Sequence, residues 1–161
     1  MIPVGTAVPE VDVYDGSGAA PLPVFYDGPA LLLFFRAGCR RCDGLLGLVA
    51  GIGRVARGLT VIGVSQETIE DTAELLGGLG VRLPVVIDDR PYRATAAFDL
   101  QSLPGVVLVE GDRVVWGSEG CGGADVVDLV SRLGSWTGKS EPALHPDYVD
   151  APPAASKHLP G

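Results

Sequence analysis

Leu31-Leu32-Leu33-Phe34-Phe35-Arg36-Ala37-Gly38-Cys39-Arg40-Arg41-Cys42 is the stretch from which the fold is read. Its apolar half has no polar alternation, the pattern of a strand covered on both faces, expected over residues 30–36. The strand runs into a short loop that delivers two cysteines three residues apart. Beyond Cys42, apolar residues recur at three- and four-residue steps through Leu45, Leu48, Val49, Ile52 and Val55, predicting a helix from about 40 to 57. Gly44, Gly47, Gly51 and Gly53 each cost that helix roughly 1 kcal/mol against alanine. Packing must therefore hold it, and the glycines are expected to let one side approach the sheet closely.

Composition bounds what surrounds this stretch. The 161 residues suit one domain, with 47% hydrophobic content and a mean hydropathy of +0.30. No apolar run reaches the ~18 residues a spanning helix needs. The first 25 residues carry no basic cluster leading into an apolar segment, so a cytoplasmic setting is expected, without a membrane partner. There a cysteine pair is more often catalytic or metal-binding than a structural staple. A net charge of −8 argues against a nucleic-acid partner. Residues 28–66 nevertheless hold five arginines (36, 40, 41, 54 and 57) against Asp43 alone. The cysteines sit on a basic island in an acidic chain.

Outward from the island, Val11–Tyr14 and Leu22–Phe25 read as two extended pieces around the turn cluster Asp15-Gly16-Ser17-Gly18, a hairpin-like N-terminal extension. Leu59–Ser65 is a second apolar strand. Thr68 and Asp71 have capping-box spacing for a helix closing at Gly77-Gly78 or Gly80. Val85–Asp88 is a short strand, and Pro91 is expected to start a short helix reaching about Phe98. Gly105–Val109 and Arg113–Trp116 form a hairpin about Gly111-Asp112. Asp125–Leu133 is an amphipathic helix offering Val126, Val127, Leu129, Val130 and Leu133 for burial. The order β-α-β-α-β-α-β-β-α implies an α/β protein, a mixed sheet with helices on both faces. Residues 135–161 carry five prolines and no periodicity, and read as a tail, disordered or laid over the surface.

The segments FFRAGCRRC, LTVIGVS, LPVVIDD and SLPGVVLVEGDRVVWGSEG resemble the redoxin-type thioredoxin-like family, the AhpC/TSA- and TlpA-like members of the thioredoxin superfamily. The likeness spans roughly residues 5–134. It implies a thioredoxin-like three-layer α/β/α fold with a mixed central sheet, a redoxin-type N-terminal extension and a strand–helix insertion, Leu59–Asp89. The domain is then 1–134 and the Pro-rich tail 135–161. It also implies a cis-proline beside the dithiol; Pro104, ahead of the hairpin, matches that position better than Pro84. Three features depart from thioredoxins. Gly38 replaces the tryptophan before the first cysteine, Arg41 the proline between the cysteines, and Leu33 the buried aspartate that moves protons. Gln66 and Glu67 are loose substitutes for the last.

The chemistry expected of Cys39 and Cys42 follows from their place at a helix start. Unpaired N–H groups and the dipole favour a thiolate on Cys39, and Arg40 and Arg41 add positive charge. Cys39 is then the nucleophile and Cys42 the resolving thiol, one turn along. Thiol–disulfide exchange with protein or small-molecule thiols is the leading function, alongside a separate electron donor and with the chain as monomer or homodimer. A peroxiredoxin-like thiol peroxidase with an antioxidant role and a redox-inactive interaction module are the alternatives. The peroxidase motif P-x-x-x-T-x-x-C does not fit: Leu32 and Arg36 hold its positions for Cys39, and Phe35 and Cys39 for Cys42. No cofactor is expected. Zinc is disfavoured because a structural site wants four Cys/His ligands, while His145 and His158 lie in the tail. Cys121 reads as a small buried hydrophobe, and Trp116 and Trp136 as packing residues.

Overall fold

The computed structural model describes residues 1–138 and 151–159. The first elements are the hairpin β1 (Asp12–Tyr14) and β2 (Ala19–Pro21), followed by β3 (Ala30–Phe35), α1 (Arg40–Val55), β4 (Thr60–Ser65), α2 (Ile69–Leu79) and β5 (Val85–Ile87). After them come α3 (Arg93–Ala97), β6 (Ser102–Leu103), β7 (Gly105–Glu110), β8 (Arg113–Glu119), α4 (Gly123–Arg132), α5 (Gly134–Thr137) and β9 (Ala154–Ala155). Seven strands form one sheet in the order β2-β1-β5-β4-β3-β7-β8, and β6 pairs with β9 outside it. β3, β4 and β5 are parallel, whereas β7 runs antiparallel to β3 and β8 to β7. The sheet is mixed, as the order of segments implied.

All six residues of β3 are fully buried, so both faces of its strand are covered. That is the physical origin of its uninterrupted apolar run. α1 packs on β3 and β4 through Leu45, Leu48, Val49 and Ile52, and Phe34 meets Phe98 with ring centroids 5.0 Å apart. α2 starts where Thr68 Oγ1 accepts the Asp71 N–H at 3.0 Å and ends on Gly80, whose φ of 66° supplies the left-handed cap. No described helix is long and apolar enough to cross a membrane.

Several local expectations need correction. β1 pairs with Ala19–Pro21, and Leu22–Phe25 is a 3-10 turn carrying a proline at its start, which has no N–H to offer a ladder. α3 starts at Arg93, two residues past Pro91, whose bond to Arg90 is cis. Its cap is Asp88, which accepts from the N–H groups of Ala94 (3.0 Å) and Thr95 (2.8 Å) and from Thr95 Oγ1 (2.6 Å). Val127 is exposed, leaving Val126, Leu129 and Leu133 as the buried face of α4. The α1 glycines differ in their surroundings, and Gly51 is buried. Gly47 is exposed, with open space where a Cβ would stand, and at Gly53 a Cβ would make only ordinary contact with Val61 at 3.5 Å.

The chain also continues on the domain past residue 134. α5 contacts α1 and α4, and the Arg57 N–H donates to Trp136 O at 2.9 Å. Residues 139–150 and 160–161 of the expected tail lie outside the described residues, but 151–159 returns to the sheet end that carries the cysteines.

Candidate active site

Cys39 is the N-cap of α1, its backbone extended at φ −123°. The Asp43 N–H donates to Cys39 O at 3.0 Å, and the Cys42 N–H donates to Cys39 Sγ at 3.1 Å. The sulfur thus takes the place of the hydroxyl or carboxylate that normally caps a helix, and it receives one of the unpaired amides there. Cys39 and Cys42 form a disulfide with Cα atoms 5.2 Å apart. On the other side, Leu103 O lies 3.7 Å from Cys39 Sγ, and the Leu103–Pro104 bond is cis while Pro84 is not. The structure therefore brings Cys39, Cys42 and Pro104 together. Gly105 follows, and a Cβ there would stand 2.6 Å from Leu100 Cδ1, so the Leu100 side chain would have to shift.

The arginines are engaged elsewhere. Arg41 donates from Nε to Ala151 O at 2.6 Å and from Nη1 to Gly120 O at 2.8 Å. Arg36 donates from Nη1 to Ala155 O at 3.0 Å, and Arg40 is exposed. Their positive charge stays at the helix start, but the hydrogen bonds of Arg36 and Arg41 go to carbonyls. Leu33 is fully buried where a thioredoxin keeps its aspartate. Of the substitutes, Glu67 accepts the Ala37 N–H at 3.0 Å and pairs with Lys157 Nζ at 2.6 Å. Gln66 is buried and bonded to Ser156 Oγ and to the Lys157 N–H. Asp43 Oδ1 is buried without a hydrogen-bond partner, and burial raises its carboxyl above the ordinary value.

Cys39 is 2% exposed and Cys42 fully buried. The disulfide is closed to solvent, and residues 151–159 run beside it, on β6 and the two arginines of the cysteine loop. β9 runs antiparallel to β6, with Ala154 opposite Leu103 and Ala155 opposite Ser102. The Ser156 N–H donates to Gln101 O at 2.8 Å.

Cys121 is free and buried beside this region, and burial pushes its thiol up to about 12. Trp116 is largely buried, with Nε1 donating to Asp128 Oδ2 at 2.7 Å. His158 Nδ1 shares a hydrogen bond with Ser156 Oγ, and His145 lies outside the described residues. Among the described residues no group of three or more His, Cys, Asp and Glu is placed to hold a metal ion.

No family model matches the sequence, and no curated protein does either. Solved structures match well. The thioredoxin domain of a thiol-disulfide oxidoreductase from Bacteroides vulgatus superposes with a TM-score of 0.69 at 19% identity, covering 82% of this chain and 98% of that one. The fold is thioredoxin-like. A thio-disulfide isomerase from Thermus thermophilus gives 0.61 at 21% identity over 83% of this chain and 98% of its own. A hypothetical protein from Sinorhizobium meliloti gives 0.68 at 20% over 100% and 97%. Within the thioredoxin-like frame, the Cys39–Cys42 disulfide opens α1 and the cis Leu103–Pro104 bond lies beside it. Reading the sequence missed Ser156, Lys157 and the carbonyls of Ala151 and Ala155. Two prolines followed by two alanines carry no periodic signal, and backbone acceptors leave no mark on residue identity.

Proposed function

We propose that this protein is a thiol–disulfide oxidoreductase working through Cys39 and Cys42. The observation that carries the reading is the Cys42 N–H aimed at Cys39 Sγ at the start of a 16-residue helix. That donor and the helix dipole stabilise negative charge on Cys39 once the pair is reduced. The folded neighbours that are named as thiol-disulfide oxidoreductases or isomerases support the same reading.

In the reducing direction, the Cys39 thiolate attacks one sulfur of a substrate disulfide, and the other sulfur leaves with the electron pair and takes a proton. Cys42 then attacks Cys39 Sγ, and the second substrate sulfur leaves with the electron pair and takes the proton that Cys42 gives up. The substrate gains two electrons and two protons while Cys39–Cys42 becomes a disulfide. The oxidising direction is the reverse. Arg40 and Arg41 act on Cys39 through charge, and Pro104 keeps the β6–β7 corner against the disulfide. A separate dithiol or disulfide resets the pair, and the proposed setting is cytoplasmic.

The test compares Cys42→Ser with Cys39→Ser on a protein disulfide such as insulin. Cys42→Ser should accumulate a mixed disulfide through Cys39, and Cys39→Ser should lose turnover. Full activity in Cys39→Ser would overturn the assignment.

A further inference from the structure

The segment 151–159 is fastened around the cysteine loop at every side. Ala151 O accepts from Arg41, which sits between the two cysteines, and Pro153 lies against Gly120, 3.6 Å from where a Cβ would stand. Ala154 and Ala155 pair with β6, the edge whose Leu103 O approaches Cys39 Sγ. Ala155 O accepts from Arg36, at the start of the loop. Ser156 Oγ accepts from Gln66 Nε2 at 2.8 Å, and the Lys157 N–H donates to Gln66 Oε1 at 3.0 Å. Lys157 Nζ closes the series on Glu67, whose carboxylate also holds the Ala37 N–H.

This pattern is that of a bound extended peptide. Its hydrogen bonds run mainly through backbone groups, and small side chains let it lie flat on a two-residue edge. Pro152 and Pro153 keep the approach extended and withhold two N–H groups. An edge that accepts a strand from its own chain accepts one from another by the same bonds.

We infer that residues 151–159 are an intramolecular strap that occupies the docking edge of the dithiol, and that an extended segment of a partner polypeptide takes β6 only when the strap lifts. This rests on the exchange reading for its substrate class, though the closure itself does not. Reactivity toward the disulfide then scales with the fraction of molecules whose strap is open.

The experiment reduces the oxidised protein with a fixed concentration of tris(2-carboxyethyl)phosphine. The phosphine is oxidised to its oxide, taking the oxygen of one water, as Cys39–Cys42 gains two electrons and the two protons of that water and becomes two thiols. Acid quenching and mass spectrometry follow the rate. Lys157→Glu sets two acids against each other at the Glu67 contact, and Ser156→Pro removes the N–H to Gln101 and the hydroxyl to Gln66 and His158. Both should be reduced about tenfold faster than wild type, whereas Lys157→Arg should match wild type. A synthetic peptide of residues 151–159, with blocked ends, should slow reduction of Lys157→Glu again.

Equal rates in wild type and in the folded strap variants would overturn the inference. Should both variants fail to fold, wild-type hydrogen exchange decides. The Ser156 and Lys157 amides must be protected, and exchange at the rate of an unstructured peptide would show that the strap is not seated. The two readings fail separately. Faster reduction by phosphine with no turnover of insulin in any variant would sink the oxidoreductase reading and leave the strap standing. Insulin turnover with phosphine rates unchanged would do the opposite.

Discussion

The backbone N–H of Cys42 points at the sulfur of Cys39 from 3.1 Å, so in the proposed exchange the resolving cysteine also stabilises the nucleophile. The stabilisation comes from the main chain and survives any change to the Cys42 side chain. In the reduced protein, and equally in Cys42→Ser, the Cys39 thiol should titrate within the ~3.5–7.5 range found for cysteines at helix N-termini. Iodoacetamide reaction rate against pH reads this directly. An inflection near the free-thiol value of ~8.5 would refute it.

A stabilised thiolate also stabilises the dithiol over the disulfide. Equilibration with glutathione buffers should place the pair above thioredoxin's roughly −270 mV. Replacing Arg40 and Arg41 together by methionine should move the potential down toward that value. A potential that does not change would show that charge at residues 40 and 41 has no part in the poise.

Cys121 should stay silent. With its thiol pushed up to about 12 by burial, it carries almost no thiolate at neutral pH. In the reduced, folded protein Cys39 should be alkylated, and Cys121 only in denaturant. Alkylation at Cys121 under native conditions would contradict its burial.

Two glycines predict opposite signs. At Gly47 a Cβ meets open space, so Gly47→Ala should stabilise by about 1 kcal/mol through helix propensity alone. At Gly63 a Cβ would stand 2.9 Å from Phe35 Cε1 and 3.1 Å from Leu83 Cδ2. Gly63→Ala should therefore cost about 1–3 kcal/mol by overpacking. Urea midpoints of the two variants test the pair.

Asp88 gives a pH signature. Burial raises its carboxyl, and the hydrogen bonds from Thr95 and Ala94 only partly oppose this. A group raised on folding helps stability while protonated, below the ordinary carboxyl value. It helps less as pH climbs through the folded value. Asn at this position cannot ionise. The stability of wild type relative to Asp88→Asn should therefore fall as pH rises from about 3 to about 6. A constant difference would mean that Asp88 titrates normally.

The fold was legible because its central element is buried on both faces. β3 left an unbroken apolar run, and the cysteines followed directly at the start of a patterned helix. Pro104 was picked out only through the family resemblance, with its place ahead of the hairpin deciding it against Pro84. Contacts made by backbone were not. β2 and β9 are short strands of alanine and proline, too small for alternation, and their partners are carbonyls and amides. The start of α3 was misread because Asp88, five residues before the helix, caps it through tertiary contact. The glycines of α1 suggested close approach, yet Gly47 faces solvent.

The pairing of β9 with β6 also has a competitive meaning. Because both strands belong to one chain, Ala154-Ala155 is present at the edge at an effective concentration on the order of millimolar, whatever the protein's own concentration. A partner segment offering only the same two backbone pairs would be outcompeted by the tether in dilute solution. A successful client must add contacts beyond β6, or be joined to Cys39 by a mixed disulfide, which makes its own segment intramolecular too.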